Sequence, residues 1–501
     1  MKTNSCTLTE LRNAILPLLI DDSKQEQNAK VTTITNDSRQ VIPGSVFVAI
    51  SGTNCDGKRY ISDAIQKGAI AIVFAGELPF PRAKDIVYWR VSDDYAAYAE
   101  LAAALCGFPG REMPIHAVTG TNGKTTTVYL LERFLSRTGH TPGLLSTIEY
   151  RPGDGSSIAA DRTTPEALTL QQYLRTMRDN GCDCAVMEAS SHSLSQKRFG
   201  NLQFKGAIFT NLTGDHLDYH KDMENYYLAK QLLFKDHVAP DGIAIINGDD
   251  PYGSRLAREF RTEFGNRLIT FGQNPECDSI FRINRLGPEG SEFTLNIDCN
   301  LENFTTHLIG AHNIYNLCGV ILDLVKSNLA TPDQIRAILA EPFQVPGRLQ
   351  KITAPNGVNF YIDYAHTDDA LSNVLSILRT ITPERIITVF GCGGNRDKTK
   401  RPRMAAAAAE KSNIVIITSD NPRFEKPNDI IAEILPGLPI GCNFHVEPDR
   451  RKALALAVSL ATAGDSVLCA GKGHENYQEI EGVKHHFDDA EEVEKLLGLR
   501  A

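Results

Sequence analysis

The chain has no block rich in lysine and arginine: 52 Lys+Arg stand against 61 Asp+Glu, for a formal net charge of −9. That excludes the broad cationic footprint of a nucleic-acid binder, although a few placed cations can still hold a small anion. No uncharged apolar run approaches the ~20 residues that cross a bilayer, so no membrane insertion is expected. The opening MKTNSCTLTELRNAILPLLIDD lacks a basic segment followed by an apolar core and a small-residue cleavage site, and does not read as a secretory signal. Its 11 cysteines are odd in number and scattered, and the closest pair, Cys182 and Cys184, has no second pair at zinc spacing. Reduced thiols in a cytoplasmic protein are the expectation. Internal repeats are absent too.

What is present is ordinary globular composition, 42% hydrophobic and 23% charged. A length of 501 residues suggests three domains. Short β-branched apolar runs alternate with amphipathic stretches, the α/β signature. The runs IHAVT (115–119), CAVME (184–188), GAIFTN (206–211), GIAIIN (242–247), RIITVF (385–390), NIVIIT (413–418) and DSVLCA (465–470) predict buried strands. Helices are predicted at about 94–107, 124–138, 166–179, 312–326, 401–411 and 449–462. The expected domains are 1–93, 94–345 and 346–501.

Strand IHAVT runs directly into GTNGKTTT and then a helix, the arrangement of a phosphate cradle. Backbone amides of Gly120, Thr121, Asn122 and Gly123 would approach phosphates, Lys124 would neutralise oxygens, and Thr125, with Thr126 beside it, would face a Mg²⁺ ion. The spacing departs from G-x-x-x-x-G-K-[ST], because residue 118 is Val118 and the first glycine is Gly120. Two further strands end in the polar clusters ASSHSLSQKR and LTGDHLDYH. Ligand groups gather beyond the carboxyl ends of strands in open α/β sheets. Glu188, His192, Asp215, His216 and His220 are therefore candidates to face the loop, with Glu188 and His216 preferred as metal ligands. For any single histidine a structural hydrogen bond is an equal alternative. Lys230, on the predicted helix DMENYYLAKQLLF, reads by itself as a solvated surface lysine.

GTNGKTTT, MEASSHSLSQKR, FTNLTGDHLDYHKDMENY, GAHNIYN, VPGR, DYAHT, GCGGNRDK, SDNPR and GKGHE occur in this order, and together they resemble the Mur ligases of peptidoglycan synthesis. The likeness runs from about residue 36 to 475, and is to the members that add the third residue of the stem peptide. It implies a UDP-binding domain, a central P-loop ATPase-type sheet and a C-terminal Rossmann-like domain. ATP would phosphorylate a D-glutamyl carboxylate, and an amino acid's amine would attack the acyl phosphate. The implied small molecules are ATP, UDP-N-acetylmuramoyl-L-alanyl-D-glutamate and meso-diaminopimelate, with Mg²⁺ as cofactor and a monomer as the working form.

By motif, the resemblance assigns UDP contacts to Ser38, Thr53, Asn54 and Cys55. It assigns muramoyl-dipeptide contacts to Thr163, Thr164, Ser190, Gln196 and Arg198. Asn313 and Asn316 would lie on the adenine side, Asp363 and His366 near the nucleotide, and Arg348 with Lys124 against the transferring phosphoryl group. Lys230 matches a carbamylated lysine that binds a second Mg²⁺, against its reading as a surface group. Two departures, Arg162 for Asn and Thr53-Asn54-Cys55 for His-Gln-Ala, touch the UDP and sugar contacts.

In the last block Arg396, Asp420, Asn421, Pro422, Arg423, Gly471 and Glu475 follow three strands and would converge on a zwitterion site. Asn421-Pro422 could equally be a simple turn, and Arg423 a surface salt bridge. A guanidinium holds a carboxylate bidentately, so Arg423 and Arg396 are expected to clamp diaminopimelate, with Asp420 and Glu475 taking an ammonium group. The competing readings are a lysine-adding Mur ligase, a folylpolyglutamate synthase-like ligase, and an ATP-dependent switch without ligation.

Overall fold

Strand segments such as SVFVA and IHAVT are apolar at nearly every position, not at alternate ones, the pattern of strands covered on both faces. The computed structural model describes residues 6–22, 28–52 and 55–500, and all five side chains of Ser45–Ala49 and of Ile115–Thr119 are buried. The chain forms two compact units. One contains the residues up to Phe281 with Leu295–Asn300 and Tyr315–Ile338; the other contains Arg282–Thr294, Leu301–Ile314 and the residues from Leu339 on.

Beside the two-stranded pairing of Cys6–Thr7 with Lys30–Val31, the first unit holds two large sheets. The smaller orders its strands Leu19–Asp22, Val87–Val91, Ala69–Ala75, Ser45–Ala49 and Thr33–Thr35, with only the first pair antiparallel. Because side chains alternate along a strand, Val46 and Val48 join one core with Trp89 and Leu101, while Phe47 and Ala49 join another with Ile72 and Tyr88. Asp93 caps the helix Asp94–Leu105, accepting from the amide of Ala96.

The larger sheet has a parallel core ordered Pro142–Leu145, Cys184–Glu188, Ile115–Thr119, Phe204–Phe209, Val238–Asn247 and Leu268–Gly272. Chain order reverses across Ile115–Thr119, and such a reversal opens a crevice at the carboxyl ends of the neighbouring strands. Register sets Glu188 beside Val118 and Phe209 beside Thr119, so the residues after all three strands emerge at one edge. Beneath them His116 and Asp323, both buried, pair at 2.6 Å. A Cβ on Gly206 would lie 2.0 Å from the Asp323 carboxylate and 2.3 Å from the His116 ring, so this strand position must be glycine.

The second unit is built on a six-stranded sheet, ordered Gln350–Thr353, Asn359–Asp363, Ser466–Ala470, Ile386–Phe390, Ile414–Ile417 and Phe444–Val446. All but the first pair are parallel, and separate apolar clusters cover the two faces, the doubly wound form expected of a Rossmann-like domain.

The seven strands expected from sequence are all present, with ends that differ by a few residues, as are the six helices. No strand was expected between residues 272 and 306, where the structure has Ser279–Gly287, Gly290–Ile297 and Asn300–Thr306. Gly290–Ile297 alternates buried and half-buried side chains, so it lacks the continuous apolar run by which the other strands are recognised.

Candidate active site

The loop between Ile115–Thr119 and the helix Lys124–Arg137 is clamped by the residues that follow the neighbouring strand. The Thr121 amide donates to the Asn211 carbonyl at 2.9 Å, the Asn122 amide to Asn211 Oδ1 at 2.9 Å, and Thr210 Oγ1 to the Asn122 carbonyl at 2.6 Å. Gly120 has φ +152°, and a Cβ there would lie 1.9 Å from Thr210 Oγ1; Gly123, at φ +88°, is packed against Asn316. No side chain caps the helix at Gly123, which leaves its positive end as the natural seat for an anion.

Two lysines meet at this loop. Lys124 Nζ donates to the carbonyls of Gly120 at 2.9 Å and Thr121 at 2.8 Å, and Lys230 Nζ donates to the same Gly120 carbonyl at 2.7 Å. Lys230 is 1% exposed and lies over the Tyr226 ring at 4.7 Å, which corrects the reading of it as a solvated surface lysine. Burial, and then the charge of Lys124, hold its amine well below the usual lysine range, partly offset by Asp215. The helix Met223–Asp236 carries it there by burying Tyr226, Tyr227 and Leu233 on the same side.

Glu188 is fully buried at the end of its strand, accepting from the Thr147 amide at 2.7 Å and the Thr147 hydroxyl at 3.1 Å. Next to it Thr164 Oγ1 donates to the Glu188 carbonyl at 2.8 Å and meets Ser190 Oγ at 3.2 Å. Arg198 reaches the Thr164 carbonyl at 2.6 Å, Gln196 Oε1 at 2.6 Å and Glu166 at 3.0 Å. Thr163 accepts from Thr147 Oγ1 at 3.1 Å, and Arg162 pairs with Glu166. Thr163, Thr164, Ser190, Gln196 and Arg198 thus form one network around Glu188.

His216 sits at φ +54° beside Asp215, its ring 5.0 Å from His192 and 6.1 Å from Tyr226. Burial lowers its affinity for a proton, and the Lys124 and Lys230 charges lower it further against the pull of Asp215, so a neutral imidazole is favoured. His220 is buried, bonded to Ser191 Oγ at 2.9 Å and stacked on Tyr226, which is the structural role left open for it. His192 is likewise kept neutral, its pKa lowered to about 4 by burial and by His216. Among the described residues the one tight group of His, Cys, Asp and Glu is His140, Asp183 and Cys184, at the opposite ends of the strands. The residues at the loop fit Mg²⁺ in chemistry, since that ion takes one or two carboxylates and fills its shell with water and phosphate oxygens.

Of the expected UDP contacts, Ser38 is buried and its carbonyl accepts from Lys67 at 3.0 Å; Cys55 is exposed, 3.4 Å from the Tyr60 hydroxyl. Thr53 and Asn54 lie outside the described residues. Asn316 belongs to the first unit, beside Gly123, whereas Asn313 belongs to the second and donates to the Ile309 carbonyl at 2.9 Å.

Within the second unit, three motifs converge. Asp363 accepts from the amides of Leu349 and Ala365, each at 2.8 Å; burial raises its pKa and the Arg348 charge opposes the rise. Arg348 lies 4.9 Å from the centre of the Tyr364 ring, which also contacts His366 and His474. At the next strand ends, Asn421 donates to Glu475 at 2.7 Å, and Arg423 donates to the Gly394 carbonyl at 2.8 Å while its Nε stands 3.3 Å from Glu479. Arg423 therefore does form the salt bridge its alternative reading allowed. It is held at φ +52° by backbone bonds to Glu479 and Glu481, while Pro422 packs its carbonyl against Gly394. Arg396 is exposed, with no side-chain partner among the described residues. Asp420 lies against Gly471.

The sequence reading missed Lys472. It is fully buried, 3.3 Å from Asn421 Oδ1, 3.4 Å from Glu475 and 3.8 Å from Asp420. Burial and the Asp420 charge raise the pKa of Glu475, and Lys472 counters them. Thr147, Thr210 and Asn211 were also missed; the last two were counted as the end of the expected strand 206–211, whereas the strand stops at Phe209 and leaves them to clamp the loop.

A phosphate loop at a sheet reversal, with two lysines on one loop carbonyl, joined in one chain to a doubly wound unit with a polar pocket at its strand ends, defines a class of nucleotide-dependent ligases. The chain belongs to the Mur ligase family. Residues 30–104 match the Mur ligase family catalytic domain, 118–323 the Mur ligase middle domain, and 347–473 the Mur ligase glutamate ligase domain. It is 41% identical over 478 residues to a UDP-N-acetylmuramoyl-L-alanyl-D-glutamate--2,6-diaminopimelate ligase of Geobacter metallireducens, covering 91% of this chain and 92% of that one. A protein of the same name from Parabacteroides distasonis is 41% identical over 499 residues, with 98% and 99% covered. A solved structure of a ligase so named aligns with a TM-score of 0.69 at 30% identity, over 99% of each chain.

Proposed function

We propose that this chain uses ATP to join meso-diaminopimelate to the D-glutamyl side-chain carboxylate of UDP-N-acetylmuramoyl-L-alanyl-D-glutamate, a step of peptidoglycan synthesis. The observation that carries the reading is the pair Lys124 and Lys230 on the Gly120 carbonyl, within a chain 41% identical to ligases named for that reaction.

The carboxylate is a poor acyl donor, because its leaving group would be oxide. Attack of a carboxylate oxygen on the γ-phosphorus of ATP breaks the bond to the bridging oxygen, releases ADP and leaves an acyl phosphate. The amine of diaminopimelate then adds to the acyl carbon, the C–O bond breaks, phosphate departs, and the amine loses a proton. The chain's own groups serve these steps electrostatically. Amides of Gly123 to Thr126 and the Lys124 ammonium cradle the phosphates, the expected amides of Thr121 and Asn122 being donated to Asn211 instead, and Arg348 adds a cation for the transferred group. Thr163, Thr164, Ser190, Gln196 and Arg198 orient the acceptor. Mg²⁺, held by Thr125, Glu188, His216 and Lys230 as its carbamate, would neutralise phosphate oxygens when bound. A buried amine packed on Tyr226 supports the carbamate, because an uncharged amine is the form that adds CO₂.

Arg423 and Arg396 are assigned to the diaminopimelate carboxylates, and Asp420 with Glu475 to an ammonium group. Lys472, lying between the two carboxylates, limits them to one such guest. The reading keeps 1–93, 94–345 and 346–501 as UDP, ATP and amino-acid segments, in a cytoplasmic monomer that acts on small molecules and not on nucleic acid. The test is phosphate release with the UDP-dipeptide and a panel of diaminopimelate isomers, lysine and ornithine. Release only with UDP-dipeptide and meso-diaminopimelate together is expected. Preference for lysine would replace the assigned amino acid, and brisk hydrolysis of ATP alone would make the chain a switch.

A further inference from the structure

The strands Ile386–Phe390 and Ile414–Ile417 are parallel neighbours, and the segments that follow them, 391–399 and 418–426, carry Arg396 and Arg423. The two segments are laced together. The Gly394 amide donates to the Asn421 carbonyl at 2.9 Å, Arg423 to the Gly394 carbonyl at 2.8 Å, and the Phe424 amide to Asn395 Oδ1 at 3.1 Å. A Cβ on Gly394 would lie 2.0 Å from the Pro422 carbonyl oxygen. Asn395 at φ +54° and Arg423 at φ +52° take a backbone form that is uncommon outside glycine, so their surroundings must hold it.

One buried cation stands behind this lacing. Arg401, on the helix Lys400–Lys411, is fully buried. Its two terminal nitrogens reach the two oxygens of Glu425 at 3.0 Å each, a bidentate fork. One of them also donates to Glu433, on the helix Pro427–Ile434, at 2.6 Å, and the other to the Gly393 carbonyl at 3.3 Å. Glu425 in turn accepts from the Asn395 amide. The Arg401 and Asn395 bonds hold its carboxyl at about 2, so it is ionised near neutrality. Lys398 reaches Glu425 at 3.4 Å and Glu433 at 3.0 Å from the exposed side.

Arg401 thus holds one segment at Gly393 and, through Glu425, at Asn395, the residue before Arg396. The same Glu425 lies two residues after Arg423. Burying a guanidinium is a costly way to add stability, since an apolar side chain of similar size often serves as well. What a rigid planar fork adds is fixed direction.

We propose that Arg401 and Glu425 are positioning residues for the choice of amino acid, setting the spacing of the Arg396 and Arg423 guanidiniums so that they accept a substrate with a carboxylate remote from its reacting amine. They act through the two segments and not on the substrate. Lysine, which has no remote carboxylate, gains nothing from that spacing. The inference rests on the assignment of Arg396 and Arg423 to the diaminopimelate carboxylates.

Steady-state kinetics of the full-length variants test it. Arg401→Met and, as the milder change, Glu425→Gln should each raise KM for meso-diaminopimelate roughly 10-fold, the scale of a small misplacement by a residue away from the chemistry. The kcat, KM for ATP and KM for the UDP-dipeptide should stay within about twofold, and kcat/KM for lysine should not change. The double variant should do no more than the larger single one, because both break one tie. Arg385→Met is the control: it breaks the pair with buried Asp465, 2.6 Å apart, at the opposite ends of the strands in the same sheet. It should lower Tm and leave every KM unchanged. An unchanged KM for diaminopimelate in Glu425→Gln, a parallel rise for all three substrates, or the same rise in Arg385→Met would each overturn the proposal. Arg423→Ala measured alongside separates the two levels. If it raises KM for diaminopimelate and the tie variants do not, the positioning role alone falls; if it does not, the assignment of Arg423 falls and the positioning role with it.

Discussion

The two units hold their polar groups in different ways. Around the phosphate loop the partners are mostly backbone: Lys124 and Lys230 both end on loop carbonyls, and Asn211 is bonded through its carbonyl and side chain to consecutive loop amides. At the strand ends of the second unit side-chain pairs join the backbone contacts, from Asn421 to Glu475 and Lys472 and from Arg423 to Glu479 beside its bond to the Gly394 carbonyl, with Arg396 exposed. A backbone cradle suits a ligand that never varies, such as a nucleotide phosphate. A pocket of side chains can be retuned residue by residue, which suits the choice of one amino acid over another.

The sharpest way to break this contrast is at Lys230. Lys230→Ala should lower kcat about 10²–10³-fold, the usual scale for loss of one placed electrostatic group. Formate or acetate should restore part of it if the missing function is an anion, as measured by steady-state turnover with and without the salt. An unaffected kcat would remove Lys230 from the chemistry. Arg423→Ala tests the other side. Loss of charged hydrogen bonds worth about 1.5–3 kcal/mol should raise KM for diaminopimelate roughly 10- to 100-fold, with KM for ATP and the UDP-dipeptide nearly unchanged. A parallel rise in all three would mean that Arg423 supports the fold and does not read the amino acid.

Gly206→Ala should destabilise the first unit by about 1–3 kcal/mol through overpacking against His116 and Asp323, read in denaturant unfolding. The smallest effect concerns pH. His237 is buried against Phe199 and Phe204, and burial holds its pKa below the unfolded value. A lowered histidine contributes stability that is complete above the unfolded pKa, about 6.5, and fades as pH falls below it. His237→Phe should flatten the acid side of the stability–pH curve between about pH 6.5 and the acid limb; an unchanged slope would show that other groups set it.

Much of this was legible in the sequence because it is local. Continuous apolar runs mark Ile115–Thr119 and Cys184–Glu188, and a glycine-rich turn between strand and helix marks the loop. What was not legible depends on packing across the chain. Nothing near Lys230 announces that its helix will press the amine onto a carbonyl 110 residues away in sequence. Resemblance alone redirected that reading. Lys472 hid between two residues already singled out, since a lysine beside glycines normally points to water. The strands between 279 and 306 escaped because half-buried strands of mixed polarity have a weak signature.

The buried triad of His116, Gly206 and Asp323 has a consequence for descent. Each position constrains the other two: any side chain at 206 collides with both partners, and loss of either partner strands the other's polar atoms inside the sheet. These three sites, on two strands and a distant helix, should drift together or not at all. In a survey of relatives, they would mark a correlated set that contacts no substrate.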